Sequence, residues 1–378
     1  MNRRIFEIND IGQLPFWTSQ WDQLHARTSA ATFFQTWEWL AVTWKHFPRP
    51  QKLRLLVILE NEEPIGFVPF CVREQNFRVG ALRVLSYPLE DWGPFFGPIG
   101  CDSVECFRLA IEHVLRSDRD WDVVDLRYLC EQSAGFAEMD KILTQQSRLF
   151  FRRPRMEAPV IELAGTWEEY IGRQSKNWRR NMRREQSRVA DLGDLQFVRY
   201  RTQPESGEVD PRYDLFEDCL CVSQKSWQAK SSLGAAFCSP AVRPVLRELH
   251  EVACRRGMID MNVLYLDERP VAFLYNYLCQ REVYALRSGY DADCAIGSLG
   301  TVLLHEVVKD SFHRGDRLIN LGPGTQDYKK RFAPESRRAI NYTYYSPWSL
   351  RSQALCLKAA LDPLLPGFQE RCQKRLVT

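Results

Sequence analysis

The chain has 378 residues, 45% apolar and 26% charged, and 51 Lys and Arg nearly balance 48 Asp and Glu, for a net charge of +3. That length suits two domains, each long enough to bury a core of its own. The balance excludes a dedicated nucleic-acid binder, whose basic excess would be larger. No run approaches the ~18 apolar residues of a membrane span. The start, MNRRIFEINDIGQLPFW, lacks the apolar core of a signal peptide. None of the twelve Cys forms a CxxC or a Cys/His set with zinc-ligand spacing. The totals predict a reduced, cytoplasmic protein with buried free thiols, no membrane span and no metal site.

In chain order, TFFQTWEWLAVTWKHF (32–47) spaces Phe33, Trp37, Leu40 and Trp44 for a helix. KLRLLVILENEEPIGFVPFCVRE (52–74) is two apolar runs split by a charged turn and reads as a β-hairpin. SVECFRLAIEHVLRS (103–117) reads as a helix and DVVDLRYL (122–129) as a strand. The plan then recurs. SPAVRPVLRELHEVACRRG (239–257) is a helix with a Ser239 cap and a Gly257 stop. MIDMNVLYLDERPVAFLYNYLCQREVYALRSGYD (258–291) is the second hairpin region, GSLGTVLLHEVVKDSFHRG (297–315) a helix and DRLINLG (316–322) a strand. EEPIGF (62–67) aligns on ERPVAF (268–273) at an offset of 206 residues (268 − 62). The fold class expected is α/β (α+β): an internal duplication, with mixed sheets flanked by helices. The alternative is one larger sheet with a coincidental hairpin match. The expected divisions are an N-terminal half over 1–164, a basic helical connector over 165–200, a C-terminal half over 201–345 and a helical tail over 346–378.

The connector contains KNWRRNMRREQSR (176–188), six bases against one acid with an interleaved Trp. Such a run can bind phosphate backbones. It also has helical spacing, with Lys176, Arg180, Arg183, Arg184 and Ser187 on one face and Trp178, Met182 and Val189 on or near another. A solvated amphipathic helix is the expectation, and DNA is not expected as a partner.

Chemistry concentrates in the second half. Gly297 and Gly300 precede a long helix, where glycines let a ligand approach the backbone and free amides suit a pyrophosphate. The GK[ST] ending of a Walker loop is missing. The next strand ends in LGPGTQDYKKRF, at the carboxyl end where open α/β sheets place ligands. Tyr328 there could protonate a leaving group, and Lys329 or Lys330 could hold negative charge; a plain surface turn with Tyr328 on the core stays open as the other reading. The chain has no GxSxG elbow. Its six His form no HExxH or comparable cluster.

Four stretches, in this order, resemble a known family: FFQTWEWLAVTW, PLEDWGPFFGP (88–98), KNWRRNMRRE leading toward QKSWQAK (224–230), and the run from RPVAF through SLGTVLLHE to LGPGTQDYKKRF. The chain is similar to the GNAT superfamily. Within it, the likeness is to FemAB-like acyltransferases of the cellulose- or polysaccharide-biosynthesis (CelD/BcsL) type, whose tandem halves match the repeat above. The resemblance implies direct acyl transfer from acetyl- or acyl-coenzyme A to an amine or hydroxyl of a small-molecule or glycan acceptor. It implies a donor pyrophosphate on Gly297, Ser298, Leu299, Gly300 and Thr301, and a thioester carbonyl polarised by amides near Arg287, Ser288 and Gly289. Tyr328 would protonate the thiolate, Lys329 would support the charge, and Asp327 or Asp91 would be the base. The run DCAIGSLG (293–300) opens on an acid where the family's pyrophosphate pattern has Gln or Arg. Some relatives take an aminoacyl-tRNA donor, which Arg179, Arg180, Arg183 and Arg184 could contact. A silent glycan-binding module, using the aromatic EDWGPFFGP loop, is the third reading.

Overall fold

The computed structural model describes residues 2–47, 49–88, 97–117, 119–146, 150–207, 209–226, 237–240, 242–294, 298–324 and 327–361. The chain divides into two compact units, Met1–Ala158 with Arg337–Thr378, and Pro159–Ser336.

In the first unit, strand β1 (Arg3–Ile8) precedes helices α1 (Thr18–Arg27) and α2 (Trp37–His46). Thr36 breaks the predicted 32–47 helix: its side chain accepts the Trp39 amide and caps α2, and Phe33–Gln35 forms a separate 3-10 turn. The first hairpin is β2 (Gln51–Glu60) and β3 (Glu63–Phe77), followed by β4 (Gly80–Ser86) and a short β5 (Ile99–Gly100). Next come α3 (Ser103–Arg116), β6 (Val123–Cys130), α4 (Phe136–Gln146) and β7 (Phe150–Glu162), the last crossing into the second unit.

The second unit continues with α5 (Trp167–Arg173), α6 (Lys176–Ala190), β8 (Leu195–Tyr200), α7 (Tyr213–Lys225) and α8 (Arg243–Arg255). The stretch expected to be a connector thus supplies α5, α6 and β8 of this unit. Ser239 is not the cap expected of it: α8 begins at Arg243 behind Val242, with no side-chain cap, because Pro244 fits the first turn, where its missing N–H costs no hydrogen bond. Then come β9 (Ile259–Leu266), β10 (Arg269–Cys279), β11 (Glu282–Tyr290), α9 (Leu299–His313), β12 (Leu318–Asn320) and α10 (Asp327–Phe332). β13 (Glu335–Tyr345) returns the chain to the first unit, where it pairs antiparallel with β6, and α11 (Leu350–Leu361) follows.

Both units repeat one pattern. β1, β2, β3 and β4 run antiparallel in turn, and β4 joins β6 in parallel. Likewise β8, β9, β10 and β11 run antiparallel, and β11 joins β12 in parallel. In the second unit α9 and α6 cover one sheet face through Leu299, Val302, Leu303, Met182 and Val189. The Lys176, Arg180, Arg183, Arg184 and Ser187 face of α6 is exposed.

The duplication extends to a buried ionic cluster with its charges exchanged. In the first unit Arg54 of β2, nearly inaccessible, donates to Glu7 of β1 at 2.8 Å, to Asp120 at 3.2 Å and to Ser117 at 3.0 Å. The 206-residue offset (260 − 54) carries Arg54 onto Asp260 of β9. There Asp260 accepts from Arg199 of β8 at 2.6 Å and from Arg201 at 3.0 Å, while Asp316 and Ser311 take the places of Asp120 and Ser117. Against burial, which pushes it upward, the Arg199 and Arg201 charges hold the Asp260 carboxyl below the ordinary range.

Candidate active site

In the second unit the parallel ladder between β11 and β12 is short. It joins Glu282, Val283 and Tyr284 to Leu318, Ile319 and Asn320 and then ends, while β11 runs on to Tyr290. Just past the ladder, Gly322 lies close against β11. Its φ of +70° suits glycine, and a Cβ there would stand 2.9 Å from the Ala285 carbonyl oxygen. Along Ala285–Tyr290 β11 has no β12 partner, and this open edge is the candidate cleft.

β11 carries a bulge at the same level. Tyr275 faces Arg287 and Asn276 faces Ala285, so Leu286 is the extra residue. A bulge leaves an amide outside the ladder and turns it, which in a cleft makes a donor for an oxyanion. β4 of the first unit pairs with β3 without such a shift. One step on, a Cβ at Gly289 would meet the Phe273 ring at 2.8 Å, so this position keeps glycine for close packing.

Helix α9 begins beside the end of β11. Its N-cap, Ser298, makes no side-chain cap hydrogen bond, so the first amides are not closed by a protein oxygen of that residue. The equivalent helix α3 is closed, because the Asp102 carboxylate accepts the Glu105 amide at 2.9 Å and puts negative charge there. An anion is favoured at the first helix end and repelled at the second.

From the far side, α10 presents Tyr328 and Lys329. Burial holds the Tyr328 hydroxyl above its ordinary value, and a hydrogen bond with Ser288 of β11 draws it partly back. Tyr328 therefore keeps its proton at neutral pH. Lys329 is 7% exposed and donates to the carbonyl oxygens of Pro323 at 2.8 Å and Gly322 at 3.3 Å, pinning the turn that opens the cleft. Burial lowers its ammonium from 10.5 to about 8. Since the folded value lies below the unfolded one, stability should rise as pH climbs from about 8 to 10.5, by up to roughly 3 kcal/mol. Lys329→Met should abolish that rise, which urea unfolding at pH 7.5 and 10 would show.

Asn320, the last residue of β12, was not anticipated from the sequence. Its Oδ1 accepts the Gly322 amide at 2.9 Å, while its Nδ2 is buried with no partner among the described residues. The polar residue at the end of the otherwise apolar LIN strand was the available signal. Arg287, Ser288, Gly289, Ser298, Leu299, Gly300, Thr301, Tyr328 and Lys329 all belong to the elements bordering the cleft. Asp327 opens α10, but its side chain lies outside the described residues, as do Asp91 and Gly297. His250, one of the six His, is buried in the core, its Nε2 2.6 Å from the Pro211 carbonyl and its Nδ1 3.0 Å from the Tyr275 hydroxyl; burial lowers it to about 4. Among the described residues no group of three or more His, Cys, Asp and Glu is placed to hold a metal ion.

A mixed sheet with an antiparallel run, a bulged strand parting from a parallel neighbour, and a helix opening at the gap define a GNAT-like fold. Residues 176–330 match the profile of the acetyltransferase (GNAT) domain, so that span carries a GNAT acetyltransferase fold. No curated protein matches the chain. Among solved structures, the chain is similar to the C-terminal (DUF2156) domain of a protein described as a lysylphosphatidylglycerol synthetase from Agrobacterium fabrum, at TM-score 0.55 and 12% identity, covering 92% of this chain and 96% of that one. A conserved protein of unknown function from Bacteroides thetaiotaomicron gives TM-score 0.52 and 12% identity over 90% of this chain and 100% of that one. A tandem GNAT protein from the clavulanic acid biosynthesis pathway gives 0.44 and 12% over 92% and 100%. At these identities the likeness is one of fold. No described helix is long and apolar enough to cross a membrane.

Proposed function

We propose that the protein moves an acetyl or acyl group from a coenzyme A thioester to an amine or hydroxyl, and that the cleft beside β11 is where it does so. The observation that carries this is the conjunction, among the described residues in one unit only, of a bulged strand, a parallel neighbour that ends early and a helix end without a side-chain cap. The residues suit the donor. The α9 amides of Leu299, Gly300 and Thr301 would take the pyrophosphate, and the orphaned Asn320 Nδ2 offers a further donor. The acceptor's nitrogen or oxygen attacks the thioester carbon, and the oxyanion is held by β11 amides at the bulge, near Leu286 to Gly289. As the tetrahedral intermediate collapses, the carbon–sulfur bond breaks and Tyr328 gives its proton to the sulfur. The acceptor's own proton leaves to a base, for which Asp327 and Asp91 are the candidates. Lys329 holds the Gly322–Pro323 turn in place and adds positive charge. We assign the acceptor to the sugar, polysaccharide or envelope-precursor class, on the sequence resemblance to the polysaccharide-biosynthesis type.

Titration calorimetry with acetyl-coenzyme A and a longer acyl-coenzyme A tests the reading: micromolar binding of either is expected, and no heat from a folded sample with both would end it. Gly300 sharpens the test. Among the described residues a Cβ there meets only Tyr290 Cδ1, at 3.6 Å, so Gly300→Ala should fold and bind normally. Gly300→Glu should also fold, yet weaken donor binding at least tenfold by placing a carboxylate where the pyrophosphate goes. Normal affinity in Gly300→Glu would move the site elsewhere.

The exposed arginines of α6 favour one second reading, an aminoacyl-tRNA donor. Replacing Arg179, Arg180, Arg183 and Arg184 together by Gln should leave coenzyme-dependent turnover within about twofold. Loss of turnover with a charged tRNA, after failure with both thioesters, would select the second reading.

A further inference from the structure

The last described helix is apolar on two opposite faces. Leu355, Cys356 and Ala359 of α11 pack inward on Leu82, Val84, Val123 and Tyr345. Outward, Leu350 is 90% exposed, Leu357 63% and Leu361 47%, and Trp348 just before the helix is 79% exposed. Leu350, Ala354, Leu357 and Leu361 recur at the spacing that aligns side chains along one helix face. Half of the exposed large apolar side chains among the described residues therefore fall within fourteen positions. Contiguous exposed apolar stripes are uncommon on monomeric proteins and mark surfaces that meet something else.

The charges nearby select the occupant. Residues 346–361 contain no acid, and Arg351 and Lys358 are exposed along one edge of the stripe. Arg119 lies over the Trp348 ring, 5.6 Å from its centre. The carboxylate of Asp122, whose backbone oxygen accepts from Ser352, is held by Arg83 at 3.1 Å. A narrow apolar stripe with a Trp at one end and cations along its edge fits the headgroup boundary of an anionic lipid surface. A second protein copy fits less well. A buried Trp contributes at most ~250 Å² and a Leu on the order of 100 Å², short of the ~800 Å² per partner of a stable interface.

We propose that α11 with Trp348 is a peripheral docking element for anionic membrane surfaces, lying in the interface without crossing it. This does not depend on the chemistry assigned to the cleft. The test is co-sedimentation of the full chain with vesicles of phosphatidylcholine alone or with one-third phosphatidylglycerol. Binding to the anionic vesicles is expected, weaker by at least tenfold on neutral ones and falling with salt. Trp348→Ser with Leu357→Gln should lower the bound fraction about tenfold while leaving thermal unfolding unchanged, since neither side chain is buried. Arg351→Gln with Lys358→Gln should reduce binding and its salt dependence together. No vesicle binding by the full chain, or equal binding by the Trp348/Leu357 variant, would overturn the proposal. So would a dimer in light scattering that the same variant dissolves, which would give the stripe to a second copy.

Discussion

Tyr328→Phe should slow acyl transfer by about 10²-fold or more while leaving the Kd for the thioester donor within about twofold. The substitution removes one hydroxyl and keeps the ring that packs against the α9 core. Its hydrogen-bond partner Ser288 is half-buried, so the loss there is small beside the catalytic one. The sign follows from protonation. A departing thiolate, with a thiol pKa near ~8.5, needs a proton at neutral pH, and burial keeps Tyr328 fully protonated there. Wild-type turnover should therefore fall only at strongly alkaline pH, and Tyr328→Phe should lack that limb. Unchanged turnover would remove Tyr328 from the mechanism. A parallel loss of donor affinity would make it a structural residue of the cleft.

The elements were legible where local chemistry decides them. Gly257 and Gly315, both at positive φ, close α8 and α9 where the sequence placed their ends. The hairpin around Asn61 and Glu62 and its counterpart around Asp267 and Glu268 follow from apolar alternation broken by a charged turn. Their shared offset made the duplication visible. What the sequence left dark is non-local. The bulge at Leu286 exists only because β10 and β11 pair in two registers, and no residue in YALRSGY announces that. The strand predicted over 316–322 shrinks to Leu318–Asn320, because Gly322 must turn against Ala285. The return of β13 beside β6 joins Ala339 to Cys130, a pairing no local pattern encodes. Of the cleft, Tyr328, Lys329 and the α9 opening stood out by residue type, whereas Asn320 mattered only once its amide was seen to be buried.

Asp260→Ala should cost about 3–5 kcal/mol, the largest stability effect expected in the molecule. The reason is what remains: Arg199, whose side chain is 2% exposed, would keep Asp310 at 3.1 Å and Asp316 at 3.4 Å, and Arg201 would keep Asp316 at 2.6 Å, so two buried guanidiniums lose the carboxylate that both contact. Removing one partner of a buried ionic set leaves the others desolvated and under-compensated. For a unit of this size the loss corresponds to roughly 10 °C in Tm. The duplication supplies a rescue. Because Arg54 and Glu7 fill the places of Asp260 and Arg199 in the first unit, Asp260→Arg combined with Arg199→Glu restores that pairing, with Asp316 standing for Asp120 and still neutralising Arg201. The double variant should recover more than half of what Asp260→Arg alone loses, measured by urea unfolding. Acid should leave the cluster intact until late, since the depressed Asp260 value means its contribution is present above the ordinary carboxylate pKa and lost only as pH falls through about 2. A double variant no more stable than Asp260→Arg would show that the clusters are alike in position but not interchangeable in geometry. The two halves would then have diverged in packing there, as they differ in the β11 bulge and in the caps of α3 and α9.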